Sequence, residues 1–157
     1  MLISAAKILN QAFPADSAEA HCDGPCGVYE PASARIAAEA GLSMTKKILA
    51  LEPPVSTDGA AWAAYLNTMS RYVAIKEEQT HIAKEELLVL WTDYFKPHHL
   101  EAHPDLHNTF WKAAKLCSAC KVNIDQGKAD ELLKAVEAIH HMFWKSKGRG
   151  DAWVTAS

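Results

Sequence analysis

The chain has 157 residues, enough for one domain with a sizeable core, and is 49% hydrophobic and 22% charged with 7 Gly and 7 Pro, a balance that excludes a disordered chain. Its 16 Lys and Arg against 19 Asp and Glu give a formal charge of −3; this leaves no basic footprint for nucleic acid, and no apolar run nears the ~18 residues that cross a bilayer. The 4 cysteines are too few for a disulfide scaffold and fall in two close pairs, Cys22/Cys26 and Cys117/Cys120, an arrangement for metal or thiol chemistry rather than cross-fold bridging.

Residues 1–20, MLISAAKILNQAFPADSAEA, begin apolar, are interrupted by Lys7 and Pro14, and close with Asp16 and Glu19. Ala18-Glu19-Ala20 has the small-x-small form of an export cleavage site. The lack of a basic cluster, the interrupting Lys7 and the flanking acids argue against export. The segment reads instead as a pro-segment removed by another protease on maturation, and the protein as cytoplasmic. Residues 21–31, HCDGPCGVYEP, carry Gly24, Pro25, Gly27 and Pro31. That punctuation is too dense for helix or strand and predicts a tight hook.

From residue 32 to 157 the chain reads as an all-α, antiparallel four-helix bundle. The first helix spans about Ala32 to Ala50, with Ile36, Ala40, Met44, Ile48 and Leu51 at helical spacing. Pro53-Pro54 ends it, and Thr57 or Asp58 caps the second. This second helix runs as far as Tyr94, about 55 Å, with Trp62, Tyr65, Leu66, Met69, Tyr72 and Val73 on one stripe. After Lys96-Pro97, a third helix from about Pro104 to Lys121 presents Leu106, Phe110, Ala113, Ala114 and Cys117. A turn over residues 123–127 leads to a fourth, about Lys128 to Lys147, with Leu132, Leu133, Val136, Ile139, Met142 and Phe143. The tail after Gly148 is expected to fray.

The chemistry concentrates in His21-Cys22-Asp23-Gly24-Pro25-Cys26. Two thiols four residues apart beside an imidazole suit a soft or borderline metal. As side chains they supply three ligands, one short of a structural zinc site, so zinc would need a fourth donor such as His81, His98, His99, His103 or His107. Spacing alone leaves open a metal site or a redox or buried thiol pair.

HCDGPCGVYEP resembles the nickel hook of the nickel superoxide dismutases, a small bacterial family made as precursors whose mature chain begins at the histidine. Leu90-Trp91-Thr92-Asp93-Tyr94-Phe95-Lys96-Pro97 is similar to a second stretch of that family, and the likeness covers residues 21–147. The resemblance implies one nickel ion per subunit, a homohexamer, a maturation protease, and superoxide as substrate. It implies as ligands the His21 α-amine freed by cleavage, the Cys22 amide nitrogen, and the Cys22 and Cys26 sulfurs in a square plane suited to Ni(II). The His21 imidazole is the implied axial ligand of Ni(III). Thiolate and amide donors would bring the nickel couple within reach of superoxide, which is converted to dioxygen and hydrogen peroxide. Without the cut, residue 21 has no free amine, so the pro-segment acts as a switch. Tyr29 lies where the family has a tyrosine gating the metal, and Tyr94 matches a second. The likeness also implies a cis Gly24–Pro25 bond. Two family positions that hold the axial histidine align with Ala37 and Gln79, leaving Glu39, Glu78 or a neighbouring subunit to orient His21.

The other reading of the hook is a non-catalytic zinc- or nickel-binding helical protein. Elsewhere, Cys117 and Cys120 read as core packing, and His98, His99, His103 and His107 as solvated, capping or interface residues. One of His140 and His141 is expected at the core edge. Lys96, with Lys76 or Lys84, would draw an anionic substrate toward the pocket.

Overall fold

The computed structural model describes residues 26–156. The 1–20 segment, His21, Cys22 and the Gly24–Pro25 bond therefore lie outside the described residues. Four α-helices follow the hook: α1 (Ala32–Leu49), α2 (Gly59–Val89), α3 (Leu106–Val122) and α4 (Gln126–Ser146). Each packs on the next, and α4 returns to α1, closing a four-membered ring. Asp58 caps α2 by accepting from the Ala61 amide at 3.0 Å, and Asp125 caps α4 by accepting from Lys128 at 3.1 Å. Among the described residues no helix is long and apolar enough to cross a membrane.

The second helix reaches Tyr94 as expected, but its end is not α-helical. Residues Leu90–Tyr94 form a π turn, closed by the Phe95 amide donating to the Leu90 carbonyl at 3.1 Å. Such widened turns frequently occur at functional sites. A short 3-10 turn, Pro97–Leu100, follows.

In α1 the inward face differs from the expected stripe. Ile36 is 56% exposed, while Ala34, Ala37, Ala38, Gly41, Leu42, Thr45 and Ile48 are buried. Small residues face inward because α1 and α2 approach closely: a Cβ on Gly41 would lie 2.8 Å from Thr80 Cγ2. The buried positions of α2, namely Lys76, Thr80, Ala83 and Leu87, recur every three to four residues. None of its residues before Lys76 is buried. The cores of α3 and α4 follow the sequence pattern, with Ala129, Cys120 and His140 added.

Cys117 and Cys120 are core residues, as expected. Burial, reinforced by Cys120, pushes the Cys117 thiol from 9.0 up to about 12. In the unfolded chain it ionises above 9, whereas in the folded chain it stays neutral to about 12. Stability present below pH 9 is therefore lost as pH rises toward 12, by about 1.4 kcal/mol at pH 10. Urea unfolding of the native chain and of Cys117→Ala at pH 8 and pH 10 will show this: the substitution should remove about that much of the alkaline loss.

The tail does not fray. Gly148, at φ +69°, reverses the chain, with its amide bonded to Lys145 and that of Arg149 to Trp144, the 5→2 and 6→1 pair of a Schellman turn. Residues 149–156 then run back over the bundle. Arg149 lies 4.3 Å over the Trp144 ring and pairs with Asp151 at 2.7 Å. His140 Nε2 donates to the Asp151 carbonyl at 3.2 Å, and Trp153 meets the His140 ring edge-on at 5.3 Å. The Ala156 amide donates to Glu39 Oε2 of α1 at 2.9 Å.

Candidate functional site

The described part of the hook enters the bundle at the start of α1. Cys26 is exposed and its thiol is unbridged. Gly27 takes φ +63°, a left-handed conformation open to glycine and strained for other residues. Val28 is 78% exposed, and Pro31 is buried directly before α1. Tyr29 turns inward and is half-buried against the core. Its ring lies 5.6 Å from that of Tyr94, so the two tyrosines singled out in the sequence do come together. Val28, Tyr29, Glu30 and Ser33 face Glu86, Val89 and Leu90 across a cleft of about 180 Å³.

The π turn aims Tyr94 at this place. Ser146 Oγ donates to the Phe143 carbonyl at 2.6 Å, so the Tyr94 hydroxyl, 2.6 Å from Ser146 Oγ, is the donor of that pair. The His99 ring stacks on Tyr94 at 5.7 Å, and Lys147 Nζ lies 5.2 Å from its centroid. His99 Nδ1 accepts from the Lys96 amide at 2.9 Å, a capping role. Burial, then the neighbouring His98 and His103, pull the His99 pKa down, which keeps Nδ1 free to accept. Trp91 stacks on Phe110 at 6.0 Å and donates to His107 Nδ1 at 2.8 Å.

One expectation fails. Lys76 cannot steer an anion, because it is buried and its ammonium donates to the carbonyls of Cys120, Lys121 and Asn123 at the end of α3. Lys84 is tied to Ser118 Oγ at 3.1 Å, leaving Lys96 as the exposed member of the three. Glu39 has both oxygens engaged, Oε1 by Arg35 at 3.0 Å and Oε2 by Ala156, and Glu78 stands exposed on α2. His140 is the buried member of its pair, as expected, and His141 is exposed.

Sequence reasoning missed Ser146, the Lys76 cap and the returning tail. Gly148 just past the helix C-cap Lys147, followed by an aromatic Trp153, was a signal for the third; neither of the others had one.

The donor chemistry fits a soft or borderline metal held by the hook. Cys26 is the exposed thiol among the described cysteines, and burial raises the pKa of both Cys117 and Cys120, which keeps them protonated and out of competition. No group of three or more His, Cys, Asp or Glu able to hold a metal occurs among the described residues.

A family model described as nickel-containing superoxide dismutase matches residues 16–147. The chain is 38% identical over 134 residues to a superoxide dismutase (Ni) of Streptomyces seoulensis, a match covering 85% of this chain and 93% of that one. It is 36% identical, with the same coverage, to the corresponding protein of Streptomyces coelicolor. A crystal structure of a Ni-containing superoxide dismutase with the nickel ligation of the oxidised state superimposes with a TM-score of 0.69. That match has 39% identity and covers 82% of this chain and 99% of the other.

Proposed function

The chain belongs to the nickel-containing superoxide dismutase family, and its reaction is the nickel-dependent conversion of superoxide to dioxygen and hydrogen peroxide; we propose that residues 21–31 hold the metal and that cleavage before His21 completes its ligand set. The observation that carries the reading is the exposed, unbridged Cys26 thiol at the root of a hook lying inside the family match.

When bound, nickel supplies a one-electron Ni(III)/Ni(II) couple that accepts an electron from one superoxide and returns it to another. The Cys22 and Cys26 sulfurs, the Cys22 amide nitrogen and the α-amine of a cut His21 would hold it, with the His21 imidazole as a further donor. Thiolates are the soft partners such a couple needs. Gly27 lets the chain turn sharply after Cys26, and buried Pro31 anchors the hook to α1. Tyr29 is kept against Tyr94, whose hydroxyl is directed to Ser146. Tyr29 therefore narrows the approach to the hook, and Tyr94 backs it. A narrow approach protects the thiolates from peroxide, which would otherwise oxidise them stepwise.

Residues 1–20 are then a pro-segment, 21–31 the nickel hook and 32–157 the bundle, with a maturation protease as partner and one nickel per subunit. The assembly is a homohexamer. The half of α2 before Lys76 supports an association of this kind, for none of its residues is fully buried within the subunit and Trp62 and Leu66 are exposed. A cytoplasmic location belongs to the same reading.

The test is superoxide removal by chain 21–157 and by the full-length chain, each supplied with nickel. Activity is expected in the cut chain alone. Equal activity in both would overturn the role given to the amine.

A further inference from the structure

We infer that residues 149–156 form a positioning strap for the hook. The groove between α1 and α4 opens where the hook enters the bundle, because α1 begins at Ala32 and α4 ends beside it at Ser146. The Schellman turn at Gly148 sends the tail back into this groove. There it is held at four successive points. Arg149 stacks on Trp144, the Asp151 carbonyl accepts from His140, Trp153 packs on His140, and the Ala156 amide bonds Glu39. Those contacts join α4 to α1 through the tail.

The strap faces the hook root directly. Asp151, Ala152 and Val154 form one wall of a cleft of about 220 Å³ whose opposite wall includes Glu30, Ala32 and Arg35. Arg35 is in turn fixed by Glu39, which the strap also holds. One buried carboxylate thus ties the first turns of α1 to Ala156 at the end of the strap. Trp144 also lines the cleft, and its Nε1 donor is buried without a partner among the described residues. The strap lies wholly beyond residue 147, where the family match ends. It meets the bundle at the end where the described part of the hook enters.

The consequence for metal retention rests on the reading of the hook given above; the clamp on the hook root does not. Hydrogen exchange of the full-length chain is compared with that of a chain stopped after Gly148 and with the Trp153→Ala/Ala156→Pro double variant. The second variant keeps chain length while removing the ring contact and the amide donor. Exchange across residues 27–35 should accelerate about tenfold in both, with the amides of α3 unchanged. Unchanged exchange at 27–35, or an equal rise throughout α3, would overturn the inference. In a second arm, nickel alone is loaded onto the chain cut before His21, and its loss to a chelator is followed. Removing the strap should speed that loss about tenfold, the scale at which supporting contacts act on bound metals. An unaltered rate would overturn the link to metal retention. Failure of both strapped and strapless chains to take up nickel would instead sink the hook's ligand assignment, while the exchange result decides the clamp by itself.

Discussion

Cys26→Ser will lower superoxide removal by the nickel-loaded chain 21–157 by more than about a hundredfold, a larger loss than contacts one shell further from a metal produce. Serine keeps the size of the side chain, but its hydroxyl is not ionised at neutral pH and is a hard oxygen donor where the metal needs a soft one. The fold should not register the change. Cys26 is exposed, precedes the buried Pro31, and contributes nothing to the core. Helix content and the urea midpoint are therefore expected to stay at their native values, while nickel bound per chain falls. A Cys26→Ser chain that retained its activity would show that the metal is not held by this sulfur.

That separation between hook and bundle also explains what the sequence could reveal. The family was legible because residues 21–31 hold a run of chemically specific residues among Gly24, Pro25, Gly27 and Pro31, a local pattern inside the family match that does not depend on distant contacts. The cores of α3 and α4 were legible because Leu106, Phe110, Leu132, Val136 and Ile139 are large, apolar and periodic. The α1 face was misread for the opposite reason. Where helices approach closely, Ala34, Ala38 and Gly41 go inward and a larger Ile36 is left outside, so counting large apolar residues picks the wrong side. The π turn had no local mark, since one extra residue per turn is decided by how Trp91 and Tyr94 pack on Phe110 and Phe143. The tail was misjudged because terminal position was weighed above its content. Trp153 and the helix-ending Gly148 argued for a docked strap.

Lys76 will show the converse behaviour: its removal should cost stability and leave the chemistry intact. Its ammonium donates to the Cys120 carbonyl at 2.6 Å, to that of Lys121 at 2.7 Å and to that of Asn123 at 3.3 Å. These are among the carbonyls left without a helical partner at the end of α3, where the helix dipole is negative. Burial lowers the Lys76 pKa, while Glu77 and then Cys120 favour the charged form. The α3 terminus thus takes the place of a counter-ion for a cation the core would otherwise expel. In Lys76→Ala the carbonyls lose their donor and the buried stem leaves a void, for an expected loss of about 4 kcal/mol in urea unfolding. Lys76→Met restores the stem without the donors and should recover about half of that. Lys76 sits about 20 Å along α2 from the Leu90 turn, so activity per folded, nickel-loaded molecule should be unchanged in both variants. If it fell with stability intact, Lys76 would have a part in the reaction that its burial argues against.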